Sequence, residues 1–238
     1  MAITETTIPT DMRLNSLLPR VLRRIRDKGL LETIGRMSFL AQEMYWERRL
    51  GVDTVGCLPR EFVSEDPACV GYDPIGYRQL GEALRHANLR RPTGTFLDYG
   101  CGKGRVLARA ATLPFDQIIG VETSTSLCSD ARSNIERLSR FVRCKNISVV
   151  NGNAKTYVVP DDTKNIFLFN PFIGHILEGV TIQIQRSLER NPRELTILYV
   201  LPVESSDIFA RKNWMKIAYH HSWGGIKLHV HHSVPSKL

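Results

Sequence analysis

From Tyr77 onward the chain alternates helical segments with short apolar strands, and that order restricts the fold more than any other feature of its 238 residues. "GYRQLGEALRHANL" suits a helix, "GTFLDYG" a strand, "GRVLARAATLP" a helix, "QIIGVETS" a strand and "LCSDARSNIERLSRF" a helix. "NISVVNGN" and "NIFLFNPF" follow as strands, "HILEGVTIQIQRSLERN" as a helix and "ELTILYVLP" as a strand. Such alternation predicts an α/β fold, a Rossmann-like, doubly wound and mostly parallel sheet of seven strands with helices on both faces. The last segments differ. "WMKIAYHHS", then Gly224 and Gly225, then "IKLHVHHS" reads as an antiparallel hairpin closed by a glycine turn.

Ligands of doubly wound sheets bind at the carboxyl ends of the strands. The strand from Thr95 to Tyr99 runs into Gly100, Cys101, Gly102, Lys103 and Gly104, with a helix starting at about Arg105. A glycine turn there lets backbone amides and the helix N-terminus come close to a ligand. Dinucleotide enzymes use G-x-G-x-x-G. Here the third glycine comes one residue early and Arg105 takes its place. Asp98 would also repel a pyrophosphate. A carboxylate in that position suits a ligand that carries a cationic amino group and no phosphate.

The run "LDYGCGKG" resembles the first motif of the class I S-adenosylmethionine-dependent methyltransferases, D-x-G-x-G-x-G, at Asp98, Gly100, Gly102 and Gly104. Together with the later "LFNPF", it is similar to a group of small bacterial-type enzymes whose first motif is like that of histone lysine methyltransferases lacking a SET domain. The resemblance covers residues 72–201. It implies S-adenosyl-L-methionine as cofactor, with the loop from Tyr99 through Cys101 to Gly104 cradling its methionine and sugar portions and Asp98 holding its amino group. Glu122, ending "IIGVE", stands where an acid accepts from both ribose hydroxyls. Thr123 falls near the adenine edge. In "NGNA", Asn153 replaces the acid that receives the adenine amine, with Ala154 beside it, and a carboxamide oxygen can accept in the same way. Tyr72, in "YDPIGY", falls where the family brings an upstream segment over the methionine end; Tyr77 shares that place, and both are equally suited to core packing.

Asn170, Pro171 and Phe172 end the fourth strand, where the family lines its methyl-acceptor pocket. They look like a shortened N-P-P-Y or D-P-P-Y motif of enzymes that methylate planar nitrogens. In those, the Asn or Asp oxygen and a proline carbonyl accept from the amine. One proline is missing here, so the acceptor does not carry over. A neutral acceptor must lose a proton, and Asn170 is no base; His175 and Asp73 are the candidates.

Residues 1–70 form a separate stretch, a helical cap and connector ahead of a cofactor-binding domain at 71–238. Val21, Leu22 and Ile25 share one helical face, and Phe39, Leu40, Met44 and Trp46 line a second segment, with Gly29 and Gly35 as weak points. Nine basic residues face four acids between Arg13 and Arg49, within an overall formal charge of +8. The basic face is either solvated cap or a docking surface for an acidic partner such as nucleic acid or an anionic membrane. Residues 51–74 read as the connector.

The five cysteines form no C-x-x-C pair and, with no signal-type or spanning apolar run, predict a reduced, cytoplasmic protein. His229 and His231 share a strand face within reach of His220 or His221 across the turn, but no acid or cysteine joins them in sequence, so no metal is assigned. Two functional classes remain: a methyltransferase acting on nitrogen or oxygen, and a non-catalytic binding subunit that keeps the fold.

Overall fold

The computed structural model describes residues 22–23, 25–87, 92–140, 142–201, 207–223 and 226–234. Its compact units are Met1–Tyr45 and Trp46–Leu238. Residues 51–74, expected to be a connector, thus belong to the second unit. The first unit holds most of helix α1, Leu30–Leu50. Gly29, at φ 87°, precedes that helix, while Gly35 lies inside it and breaks nothing. Of the face expected from Val21, Leu22 and Ile25, Val21 lies outside the described residues, while Leu22 is helical but exposed and Ile25 is helical and partly buried.

The second unit carries the sheet: β1 (Thr95–Tyr99), β2 (Gln117–Glu122), β3 (Ile147–Asn151), β4 (Thr163–Phe169), β5 (Thr196–Val200), β6 (Met215–Trp223) and β7 (Ile226–Ser233). Helices α2 (Tyr77–His86), α3 (Arg105–Ala110), α4 (Thr125–Glu136) and α5 (Gly174–Arg190) alternate with them. The order across the sheet is β3-β2-β1-β4-β5-β7-β6. All neighbours through β5 pair in parallel, whereas β7 runs antiparallel to both β5 and β6. The mostly parallel sheet with a terminal hairpin is therefore as expected. The glycine turn of that hairpin, at Gly224 and Gly225, lies outside the described residues.

Strand periodicity explains the layering. Every residue of β1 is buried, as a central parallel strand covered on both faces must be. Leu97 and Tyr99, with Ile166, Leu168, Ile197 and Tyr199, form one core with Ile176, Val180, Ile184 and Leu188 of α5. Phe96, Ile118, Phe167 and Leu198 turn the other way, toward Leu80 and Leu84 of α2 and Val106 and Leu107 of α3. From β1 the chain moves outward to β2 and β3, then returns to place β4 on the other side of β1. The reversal opens a crevice at the carboxyl ends of β1 and β4.

Candidate functional site

A cavity occupies that crevice, and the glycine turn after β1 forms part of its wall. Gly100, Gly102 and Gly104 have φ of 75°, 53° and 84°, a left-handed conformation that side chains resist. Space imposes a second demand. A Cβ on Gly100 would stand 2.4 Å from Cβ of Pro171, and one on Gly102 would stand 2.4 Å from Cε2 of Tyr72. The glycines therefore let two neighbouring walls close directly onto the loop backbone. Gly104 is turned away from the cavity, its N–H donating to the Cys101 carbonyl at 2.8 Å while it starts α3.

Two carboxylates face this space. Asp98, 2% exposed, lines the cavity, and among the described residues its Oδ2 accepts no hydrogen bond. Burial first, and then the Glu122 carboxylate, push its pKa well above the usual carboxylate range. Glu122 is buried too, but Oε1 accepts from the Ser124 N–H at 2.9 Å and Oε2 from the Gly102 N–H at 3.0 Å. Its pKa is raised by burial and held back by those amides. Each Glu122 oxygen retains a second lone pair. Thr123, Asn153 and Ala154 continue the wall beyond Glu122. The Asn153 Oδ1 already accepts from the Lys155 N–H at 2.9 Å, which fixes the turn after β3.

Residues 63–75 cover the crevice. This segment bridges the loop after β4 through Cys69 and Phe172, with Val70 N–H donating to the Pro171 carbonyl at 3.1 Å and Ile173 N–H to the Ala68 carbonyl at 2.8 Å. Tyr72 lies over Gly102, and its hydroxyl donates to the Thr54 carbonyl at 2.6 Å. Tyr77 is placed differently. It is almost fully buried and donates to Glu47 Oε1 at 2.8 Å, so its role is packing.

Behind Tyr72, Arg105 is buried and donates to Thr54 Oγ1 at 2.7 Å, to the Ile75 carbonyl at 2.9 Å and to Glu47 Oε1 at 3.3 Å. Thr54 in turn donates to Glu47 through its N–H at 2.8 Å and its hydroxyl at 2.5 Å. The residue that breaks the dinucleotide pattern is thus a clamp on the covering segment. Glu47 carried no local signal of this, since its partner lies 58 residues away.

After β4, Pro171 and Phe172 line the cavity. Phe172 also belongs to the core, edge-on to Tyr99 with ring centroids 6.2 Å apart. The Tyr99 side chain faces that core and not the cavity, because β1 sends alternate residues to opposite faces. Asn170 is at φ 40° and does not line the cavity; its Oδ1 is buried and unpartnered among the described residues. His175 is half-exposed and also off the cavity wall, its Nε2 lying 3.0 Å from Oδ2 of Asp66. Asp66 and Asp73 are the covering segment's carboxylates on the wall. Asp66 went unnoticed in the sequence, where it reads as one more polar connector residue.

Residues 92–172, from ahead of β1 to Phe172, match a family model described as "Putative methyltransferase". The putative methyltransferase yhhF from Escherichia coli superposes with a TM-score of 0.51 at 16% identity, over 76% of this chain and 97% of that one. The chain has the class I methyltransferase fold. A SAM-dependent methyltransferase from Aquifex aeolicus is similar as well, with a TM-score of 0.51 at 14% identity over 65% of this chain and 89% of that one. An RNA methyltransferase from Salinibacter ruber, crystallised with S-adenosyl-L-homocysteine, gives a TM-score of 0.48 at 16% identity over 66% and 92%. No curated protein matches the chain. Among the described residues, no helix is long and apolar enough to cross a membrane.

Proposed function

We propose that this chain binds S-adenosyl-L-methionine and transfers its methyl group to a nitrogen or oxygen acceptor. The observation that carries the proposal is Asp98, a buried carboxylate that faces the cavity with an unpartnered oxygen beside a second acid. Such a group is unfavourable in an empty protein and calls for a cationic partner. The amino group of the methionine portion supplies one. Glu122 has acceptor capacity left for the ribose hydroxyls, and Thr123, Asn153 and Ala154 would flank the adenine. A pyrophosphate beside Asp98 and Glu122 would be repelled. The similar Aquifex aeolicus enzyme is described as SAM-dependent, which supports the same cofactor.

When bound, the cofactor supplies a sulfonium-activated methyl group, a strong electrophile. The protein's share is to place the acceptor in line and exclude water. Tyr72 and the rest of the covering segment close one side, with Pro171 and Phe172 on the other. On this loop the Asn170 Oδ1 is unpartnered and the Pro171 carbonyl, which accepts from Val70, keeps a second lone pair; these two oxygens would receive an acceptor N–H. Asp73, on the wall and accepting from the Cys57 thiol at 3.2 Å, would take the acceptor's proton. His175, off the wall and held on Asp66, would act only through that aspartate, which lines the same wall.

Calorimetry of the purified chain with S-adenosyl-L-homocysteine and with a nicotinamide dinucleotide tests the cofactor. Binding of the first alone supports the proposal; binding of neither favours the non-catalytic subunit. Transfer of a labelled methyl group into protein, RNA and small-molecule fractions then identifies the acceptor class.

A further inference from the structure

At the far side of the sheet, β7 brings together groups that methyl transfer does not use. Strand alternation points His229 and His231 to the same face, as their positions two apart require. The acid missing from the sequence pattern comes from elsewhere. Asp207 caps the short 3-10 turn Ile208–Arg211 and meets both rings. Its Oδ2 lies 2.5 Å from Nδ1 of His229 and its Oδ1 lies 3.2 Å from Nε2 of His231. One donor atom from each of the three residues lies within 4.8 Å of the others.

His231 is fully buried, and its Nε2 makes no hydrogen bond among the described residues despite the nearby carboxylate oxygen. A buried polar atom aimed at an acid without a well-aligned hydrogen bond asks for another partner. Phe209 packs on the His231 ring at 5.8 Å, which holds the imidazole in place. None of the three residues lines the cofactor cavity.

We propose that Asp207, His229 and His231 form a binding site for a divalent transition metal, zinc foremost. Two imidazole nitrogens and one carboxylate oxygen suit zinc and its neighbours, whereas calcium and magnesium require an oxygen-rich shell. Ligands about 2.0–2.1 Å from a tetrahedral ion stand roughly 3.3 Å apart. The Asp207 Oδ1–His231 Nε2 separation of 3.2 Å is close to that value, and the 2.5 Å contact between Asp207 Oδ2 and His229 Nδ1 would open to admit the ion. Three protein ligands leave a fourth position for water or for His220, which is exposed and whose ring centroid is 6.3 Å from that of His229. Since Asp207 precedes β6 and the histidines sit on β7, a bound ion would staple the segment after β5 to the terminal hairpin.

The test uses the full chain, freed of any polyhistidine tag and stripped with chelator. Titration with zinc, and with cobalt followed by its visible absorption, should give one equivalent bound and a raised unfolding temperature. His229→Ala and Asp207→Asn should each weaken binding at least about tenfold. His231→Ala should do the same, but the partly exposed His229 gives the informative variant if the fully buried one fails to fold. His232→Ala, on the opposite face of the strand and bonded to Thr196, should bind as the parent does. Failure of the parent to bind zinc or cobalt would leave only a carboxylate–imidazole tie and overturn the proposal. So would binding that survives both His229→Ala and Asp207→Asn.

Discussion

Replacing Gly102 by alanine tests how the glycine turn works. The added Cβ would stand 2.4 Å from Cε2 and 2.6 Å from Cδ2 of Tyr72. The ring cannot swing aside freely, because its hydroxyl is tied to the Thr54 carbonyl at 2.6 Å. Two costs follow. Alanine in the left-handed conformation at φ 53° costs about 1–2 kcal/mol, and overpacking against an anchored ring adds about 1–3 kcal/mol. Gly102→Ala should therefore lose about 2–5 kcal/mol in urea unfolding and bind S-adenosyl-L-homocysteine at least about tenfold more weakly. A double-mutant cycle with Tyr72→Ala separates the two, since only the overpacking should vanish once the ring is gone. The coupling should be about 1–3 kcal/mol. A cycle without coupling, or a Gly102→Ala chain as stable as its parent, would refute the reasoning.

Glu47→Ala should cost about 3–5 kcal/mol, because it leaves Arg105 buried without its carboxylate partner; urea titration measures this. Gly81 sits within α2 with nothing within 4 Å of a built Cβ and no positive φ, so Gly81→Ala should stabilise by roughly 0.5–1 kcal/mol in the same assay. Asp98 gives a pH signature. Its pKa is raised in the folded chain above an unfolded value of about 3.9, so the folded state binds its proton more tightly. Its contribution to stability is thus greatest below the unfolded value and is lost as pH climbs through the folded one. Unfolding midpoints measured across that range should show the decline in the ligand-free parent and not in Asp98→Asn. Because a cationic ligand favours the ionised form, affinity for S-adenosyl-L-homocysteine should rise over the same range, with proton release visible in calorimetry.

The parts of the molecule built from local pattern were legible in the sequence. Alternating apolar strands and helices define the sheet, and the acids that motif spacing picks out fall at strand ends, Asp98 next to last in β1 and Glu122 last in β2. The resemblance carried Tyr72 to the cavity as well. What was hidden depends on contacts distant in sequence. Glu47 looks like one acid among the basic residues of α1 until folding sets it against Arg105, and Asp207 looks like a loop residue until the hairpin brings His229 and His231 to it. Tyr99 fell to strand alternation: adjacent to Asp98, it must face the other core. The Pro171 carbonyl is similarly instructive, because its partner, Val70, comes from a segment that composition marks only as a connector.

The most direct measurement is titration of S-adenosyl-L-homocysteine into the parent chain and into Asp98→Asn, side by side at neutral pH. Saturable binding by the parent, weakened at least about thirtyfold by loss of the single charge, is the predicted result. Equal affinity in the two proteins, or a parent chain that does not bind, would contradict the assignment of Asp98 as the receptor of the ligand's amino group.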